Sequence, residues 1–174
     1  SLHKGMEEAY NSGKMGKYVN LSDASYIADV KTVYLSGASY VRTMTNTWGT
    51  LVLPYEMLLP SDAPYSVFND EVVLKRCTFL DPGVAYIVRR DGEEKTLNFS
   101  TDGTSTEIRM KMQPAAVGNL KFSGTYQAKE VIDGYILAQD RFWNVAKLKA
   151  AAPETQAVMV GPFRSWLEGT TANT

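Results

Sequence analysis

The chain has one cysteine and one histidine among its 174 residues, and this scarcity excludes several kinds of site. Cys77 cannot form a disulfide within the chain, so the cysteine content does not identify a redox compartment. One Cys and one His are too few for the usual tetrahedral zinc set, and the sequence has no EF-hand, Walker or dinucleotide-binding loop. We therefore expect no metal and no cofactor. His3 lies in an N-terminal stretch of small and polar residues, which argues against a histidine-dependent nucleophile triad.

The chain also lacks an excess of charge and a long apolar run. Its 18 basic and 19 acidic residues give a net charge of −1 and are scattered along the chain, so no field attracts a polyphosphate and no nucleic acid partner is expected. No apolar run approaches the roughly 20 residues that cross a bilayer, so we expect no membrane span in this chain.

Aromatic residues are plentiful, with ten Tyr, six Phe and three Trp, and 13 Gly and seven Pro punctuate the chain. This composition predicts a mainly β fold, an antiparallel β-sandwich of the jelly-roll or Greek-key type. The length suits one sandwich domain over residues 39–168, with an N-terminal arm or lead-in segment over 1–38 and a polar tail over 169–174. One short N-terminal helix fits residues 2–10, although Gly5 disfavours it.

The densest strand signal is the stretch 48–55, WGTLVLPY, in which Pro54 stops the pairing because it cannot donate to a ladder. We expect it to be a core strand that shares one sandwich core with the stretch 163–167, so that Trp48 belongs to the scaffold. Residues 106–112 alternate apolar and charged side chains and predict a half-buried strand with one wet face. Asp81-Pro82-Gly83 predicts a turn, with a positive φ supplied by the glycine.

Three further local structures are predicted. Asp91-Gly92 favours a type I′ hairpin over residues 84–99, because this dipeptide tolerates paired left-handed conformations. Residues 156–160 and 163–167 read as a last strand pair. The Ala- and Lys-rich stretch 145–152 predicts one or two helical turns, ended by Pro153.

Aromatic side chains are the strongest lead to a binding site. Sugar rings present flat C–H faces that stack on Trp and Tyr, so rings exposed on one sheet face would bind a glycan. The candidates for ligand binding include Trp143, Trp166 and Tyr126. The alternative is that these rings fill the β core.

Paired carboxylates could also be brought together by the fold, as in glycoside hydrolases. Each acidic candidate stands beside a Gly, Pro, Asn or strand end, where a carboxylate more often lies in a solvated turn or cap. The candidates are Asp62, Glu71, Asp81, Glu130, Asp133 and Asp140.

Residues 40–168 resemble a β-rich module of secreted and surface proteins of Bacteroidetes in an ordered series of short motifs. The series in this sequence is RT at 42–43, WGTLVLPY at 48–55, YSV at 65–67, DPGVAYIV at 81–88, FSGTY at 122–126, GYIL at 134–137 with FW at 142–143, and PFRSWL at 162–167. At 81–88 the chain departs from the module's pattern, because Asp-Pro-Gly replaces an Ala-Asn-Thr run. The resemblance implies an exported β-sandwich, extracellular or on the outer cell surface. It implies no set of catalytic residues that could be assigned to positions of this sequence.

Arg164 stands between aromatic residues of the last motif and allows two interpretations. Its guanidinium either stacks or pairs inside the sandwich, a structural role, or recognises a ligand as a fourth candidate binding residue.

The leading functional hypothesis is a non-catalytic cell-surface or secreted module that supports adhesion or assembly within a larger protein. A carbohydrate-binding module with exposed aromatics is the alternative, and a glycoside hydrolase with a carboxylate pair is the third. The expected partner is a glycan or another surface protein.

Overall fold

The computed structural model of the chain describes residues 18–20, 32–35, 37–69, 75–101, 106–154 and 157–169, with backbone alone for the first two ranges. Within these ranges the chain forms short strands and one helix. In chain order the elements are β1 (Tyr18–Asn20), β2 (Thr32–Leu35), β3 (Gly37–Ser39), β4 (Val41–Thr43), β5 (Trp48–Leu51), β6 (Met57–Leu58), β7 (Tyr65–Asn69), β8 (Lys75–Cys77), β9 (Phe79–Leu80), β10 (Tyr86–Arg90), β11 (Thr96–Asn98), β12 (Thr106–Arg109), β13 (Ala115–Val117), β14 (Leu120–Thr125), β15 (Lys129–Glu130), β16 (Tyr135–Ala138), β17 (Arg141–Asn144), α1 (Val145–Ala151), β18 (Met159–Val160) and β19 (Arg164–Glu168).

Two antiparallel sheets contain about half of these strands. The four-stranded sheet has the order β5-β10-β7-β8, and the five-stranded sheet has the order β13-β14-β19-β16-β17. Antiparallel pairs also join β2 to β12, β4 to β11, β6 to β9 and β15 to β18, whereas β1 and β3 pair in parallel. The prediction of a mainly β, antiparallel sandwich-like fold is confirmed.

The N-terminal segment 1–38 is described only in part. Its strand β2 pairs with β12 and its strand β1 pairs with β3, so the described pieces of this segment belong to the β structure. The short helix expected over 2–10 lies outside the described residues.

The two large sheets are joined where β5 meets β19. The Thr50 hydroxyl accepts a hydrogen bond from the Ser165 amide and donates one to the Ser165 carbonyl, both at 2.9 Å. The Val52 amide donates to the Phe163 carbonyl at 3.0 Å. Gly124 allows this approach, because a Cβ there would lie 2.6 Å from the Cβ of Val52. This junction fixes the end of β5 beside the five-stranded sheet.

The main core is a cluster of buried apolar side chains that come from β3, β5, β6, β7, β9, β10, β11 and β12 and from the segments between strands. It includes Leu51, Val52, Leu53 and Tyr55 of the stretch 48–55, together with Phe163. The two stretches therefore share the main core through Phe163 alone, because Trp166 and Leu167 pack in two smaller clusters, and the prediction of one common core holds only in part. Trp48 is different, because it is half-buried and packs at the edge of a smaller cluster that contains Ile87 and Phe122.

Buried tyrosines hydrogen-bond main-chain carbonyls in and around this core. The Tyr126 hydroxyl donates to the Leu53 carbonyl at 3.0 Å, and the Tyr65 hydroxyl donates to the Asn98 carbonyl at 2.8 Å. Burial raises the pKa of both phenols well above the ordinary value, because the phenolate would be poorly solvated. Burial likewise raises the pKa of Tyr86 to about 12. These residues hold the main core together as neutral hydrogen-bonding groups.

Several local predictions from the sequence are confirmed. Gly83 in the predicted turn has a φ of 76°, and a Cβ there would lie 2.1 Å from the Lys111 carbonyl oxygen, so glycine is required. Residues 106–112 alternate between inward and outward side chains, with Ile108 buried. The helix predicted over 145–152 is α1, whose first turn is capped by the Asn144 side chain.

The hairpin predicted over 84–99 is wrong. Both edges of β10 are occupied, by β5 on one side and β7 on the other, and β11 pairs with β4 instead. Gly92 does not take the positive φ that a type I′ turn needs. Asp91 instead contacts β7 and β10. Its carboxylate accepts hydrogen bonds from Ser66 at 2.5 Å and from the Arg89 side chain at 2.9 Å.

The last strand pair predicted between 156–160 and 163–167 is also wrong. Strand β18 pairs with β15, whereas β19 lies between β14 and β16 in the five-stranded sheet. Phe163 between them has a φ of 61°, and this left-handed residue redirects the chain into the sheet.

Candidate functional site

The hairpin formed by β16 and β17 places its tip against the four-stranded sheet. Its two turn residues, Gln139 and Asp140, have φ values of 51° and 64°, which is the type I′ pattern. The Asp140 carboxylate accepts a hydrogen bond from the Trp48 amide at 2.8 Å. This contact anchors the hairpin tip to the start of β5.

An apolar groove, here called the central groove, lies between the hairpin tip and the four-stranded sheet. Its volume is about 180 Å³. The residues that line it are Trp48, Ile87, Leu137, Asp140, Arg141 and Phe142. Phe142 is 39% exposed.

A second groove, here called the helix groove, lies between β17 and α1. Its volume is about 320 Å³. It is lined by Arg141, Phe142, Trp143, Asn144, Lys147, Leu148 and Ala151. Arg141 and Phe142 therefore border both grooves.

Arginine side chains stack on the aromatic rings around these grooves. The Arg141 guanidinium carbon lies 3.9 Å from the centre of the Trp143 ring. The Arg89 guanidinium carbon lies 5.7 Å from the Trp48 ring centre and 5.1 Å from that of Phe68. Such stacking holds a guanidinium in place and leaves the N–H groups at its edge free to donate. We call the set Trp48, Phe68, Arg89, Arg141, Phe142 and Trp143 the aromatic–arginine surface.

The two arginines differ in their acidic neighbours. Arg89 forms an ion pair with Asp91 at 2.9 Å. Partial desolvation alone would raise the pKa of Asp91, but the hydrogen bonds from Ser66 and Arg89 lower it below its ordinary value. Arg141 forms no ion pair with any residue that the structure describes. Its guanidinium is thus the cation of this surface that is open to an anionic ligand.

The four ligand-binding candidates from the sequence do not form one site. Tyr126 is 5% exposed in the main core, and Trp166 is 3% exposed in a separate cluster with Val131, Val145 and Val160. Arg164 is exposed beside Gly161. Trp143 alone belongs to the aromatic–arginine surface, where its indole N–H donates to the Ala138 carbonyl at 2.8 Å.

Sequence reasoning missed most of this surface. The sequence predicts that Trp48 belongs to the scaffold, and it does not single out Arg141 or Phe142. A signal was present in the triplet Arg141-Phe142-Trp143, where a cation precedes two aromatics on one short strand. The turn at Gln139-Asp140 gave no signal, because hairpins of this type favour Asn-Gly or Asp-Gly.

The acidic candidates make local hydrogen bonds or ion pairs, or lie in turns. Asp133 accepts from the Gly134 amide at 2.8 Å, and Glu130 pairs with Lys149 at 3.5 Å. These two carboxylates line a third groove of about 210 Å³. Asp62 and Asp81 are exposed, and Glu71 lies outside the described residues.

Arg42 is a buried cation inside the main core. Its side chain is 6% exposed, and neither Nε nor Nη1 has a hydrogen-bond partner in the described part of the chain. The Nη2 group lies 3.8 Å from the sulfur of Met44. Desolvation lowers the pKa of this guanidinium; the Tyr40 side chain opposes that shift, and nearby Arg164 adds to it.

Within the described ranges, no helix is both long and apolar enough to cross a membrane, and no three His, Cys, Asp or Glu side chains are placed to hold a metal ion. The fold and the grooves together describe a mainly β protein with an exposed aromatic–arginine surface. Comparison with protein-family models, curated proteins and solved structures finds no match. The resemblance to a Bacteroidetes surface module therefore stays a prediction.

Proposed function

We propose that the chain is a non-catalytic, exported module that supports adhesion or assembly within a larger protein, and that the aromatic–arginine surface makes the contact. The observation that carries this proposal is Phe142, which is exposed between two grooves and flanked by a stacked arginine. Aromatic and arginine side chains are the residues that contribute most to recognition surfaces. The exported location rests on the motif series.

Carbohydrate binding is the second candidate function, and the central groove favours it. Trp48 and Phe142 come from different sheets and both border this groove, where flat rings can stack on the apolar faces of sugars. Asp140 and Arg141 supply polar groups at the same place. A groove with rings and a few polar groups is the usual make-up of a small-ligand site.

The experiment has two arms on the full chain. Incubation with panels of polysaccharides and peptides is expected to give no product, and robust turnover would contradict a non-catalytic role. A glycan array is expected to show binding that Phe142→Ala weakens at least tenfold. Leu58→Ala is the matched control, because Leu58 is 71% exposed and lines neither groove. Equal loss in both variants would contradict the assignment of the surface.

A further inference from the structure

Arg141 borders both grooves, so a single extended ligand could contact it from either side. The volumes of about 180 and 320 Å³ fall at or below the low end of the roughly 300–1,000 Å³ range of small-molecule sites. Each groove therefore suits one part of a ligand better than a whole small molecule. A chain of repeating units that crosses Phe142 would fill both.

The guanidinium of Arg141 is preorganised for a planar anion. It stacks on Trp143 at 3.9 Å, and that indole is itself fixed by its hydrogen bond to Ala138. Stacking occupies the face of the guanidinium, while its edge presents N–H donors in a fork that matches a carboxylate. A preorganised fork loses less conformational entropy on binding than a mobile cation does.

The charges around the grooves also favour an anion. Lys147 lines the helix groove and forms no ion pair within the described ranges. Asp140 is the single acidic side chain among the described lining residues, and it is engaged by the Trp48 amide. Two cations thus face the ligand against one carboxylate that is already hydrogen-bonded.

We propose that the two grooves form one site for an acidic polysaccharide, in which Arg141 binds the carboxylate of a uronic acid unit. The rings of Trp48 and Phe142 stack on the apolar faces of the sugar units on either side of that carboxylate. This inference rests on the proposed function of the aromatic–arginine surface and adds the class of ligand.

The test measures binding of the full chain to polygalacturonate and to its fully methyl-esterified form, which differ in the charge of the carboxylate. Isothermal titration and tryptophan fluorescence are suitable readouts. We expect esterification and Arg141→Gln each to weaken binding at least tenfold. Arg141→Lys should recover part of the loss, because it restores the charge but not the planar fork. Arg109→Gln is the control, since it removes an exposed arginine that lines neither groove.

Three outcomes would overturn the inference. Equal affinity for the two polymers, with no effect of Arg141→Gln, would show that the carboxylate is not recognised. Polyglutamate that binds as tightly as polygalacturonate, with the same dependence on Arg141, would assign the site to an acidic peptide at the β17 edge. The absence of binding to either form of polygalacturonate would also exclude the proposed site for an acidic polysaccharide. In each case, binding of neutral glycans that Phe142→Ala abolishes would leave the proposed function standing.

Discussion

Arg42 in the main core and Arg141 in the aromatic–arginine surface both lie beside apolar side chains, but their guanidinium groups meet different surroundings. Arg42 is enclosed: its Nη2 lies 3.8 Å from the Met44 sulfur, and its Nε and Nη1 have no hydrogen-bond partner among the described residues. Arg141 lies over an indole ring with its edge open to solvent. An arginine therefore lowers the stability of the protein where it is buried in the core, and it is available for ligand binding where it lies at the surface.

The aromatic residues of the two regions differ in the same way. In the main core, Phe163 packs on Tyr40 with ring centres 4.7 Å apart and is 1% exposed. At the surface, Phe142 is 39% exposed and borders two grooves. Exposure, which follows from the fold, therefore separates residues that stabilise the protein from residues that are free to bind.

The largest expected effect is on stability when the core ring is removed. Phe163→Ala should lower the free energy of unfolding by about 3–5 kcal/mol, because it deletes a buried ring and leaves a cavity. Phe142→Ala, the matched surface change, should lower it by about 1 kcal/mol, because part of this ring is already in water. Urea unfolding followed by circular dichroism measures both. A similar decrease in the free energy of unfolding in the two variants would show that the core ring and the surface ring do not differ in their contribution to stability.

Arg42→Met is expected to stabilise the protein by about 1–4 kcal/mol, since replacing a buried charge with an apolar chain of similar length removes a desolvation cost. Arg141→Met should change stability by no more than about 1 kcal/mol, the value of an exposed cation–π contact. Thermal and urea unfolding of both variants provide the comparison. A destabilised Arg42→Met protein would show that this guanidinium has a compensating partner.

Stability should also fall at alkaline pH because of the buried phenols. Unfolded Tyr86 loses its proton near pH 10, as a free tyrosine does, whereas in the folded protein its pKa is raised to about 12. Between these values the unfolded state binds fewer protons, so stability decreases as pH rises through this window. The contribution of Tyr86 is about 1–3 kcal/mol. The urea midpoint of unfolding, measured between pH 8 and 12, reports this contribution. A Tyr86→Phe variant whose midpoint depends on pH as the wild type does would contradict the prediction.

The sequence was sufficient for features that depend on neighbouring residues. The alternation around Ile108, the turn at Gly83 and the helix that begins at Val145 all follow from local spacing and local conformational preference. Pairing partners were not predictable in this way. The hairpin over 84–99 failed because β7 and β5 occupy both edges of β10, which no local pattern reveals.

The candidate site was predicted less well than the fold for the same reason. Tyr126, Trp166 and Trp143 look alike in the sequence, yet the first two point into cores and the third lies at a surface. On β4, Arg42 is 6% exposed and faces inward, whereas Val41 is 42% exposed. Which face of a short strand is buried depends on the sheet that covers it, and that sheet comes from distant parts of the chain.

The smallest expected effect concerns the contact that anchors the hairpin tip beside the aromatic–arginine surface, the hydrogen bond from the Trp48 amide to Asp140. Asp140→Ala should cost about 1–2 kcal/mol, because it removes this bond and places alanine at a left-handed φ. Asp140→Gly relieves the backbone strain but not the lost bond, whereas Asp140→Asn keeps an acceptor and tolerates the conformation. Hydrogen exchange of the Trp48 amide should accelerate in Asp140→Ala and Asp140→Gly but not in Asp140→Asn. If all three variants exchange at the wild-type rate, the hairpin tip is held by packing alone, and the central groove does not depend on Asp140.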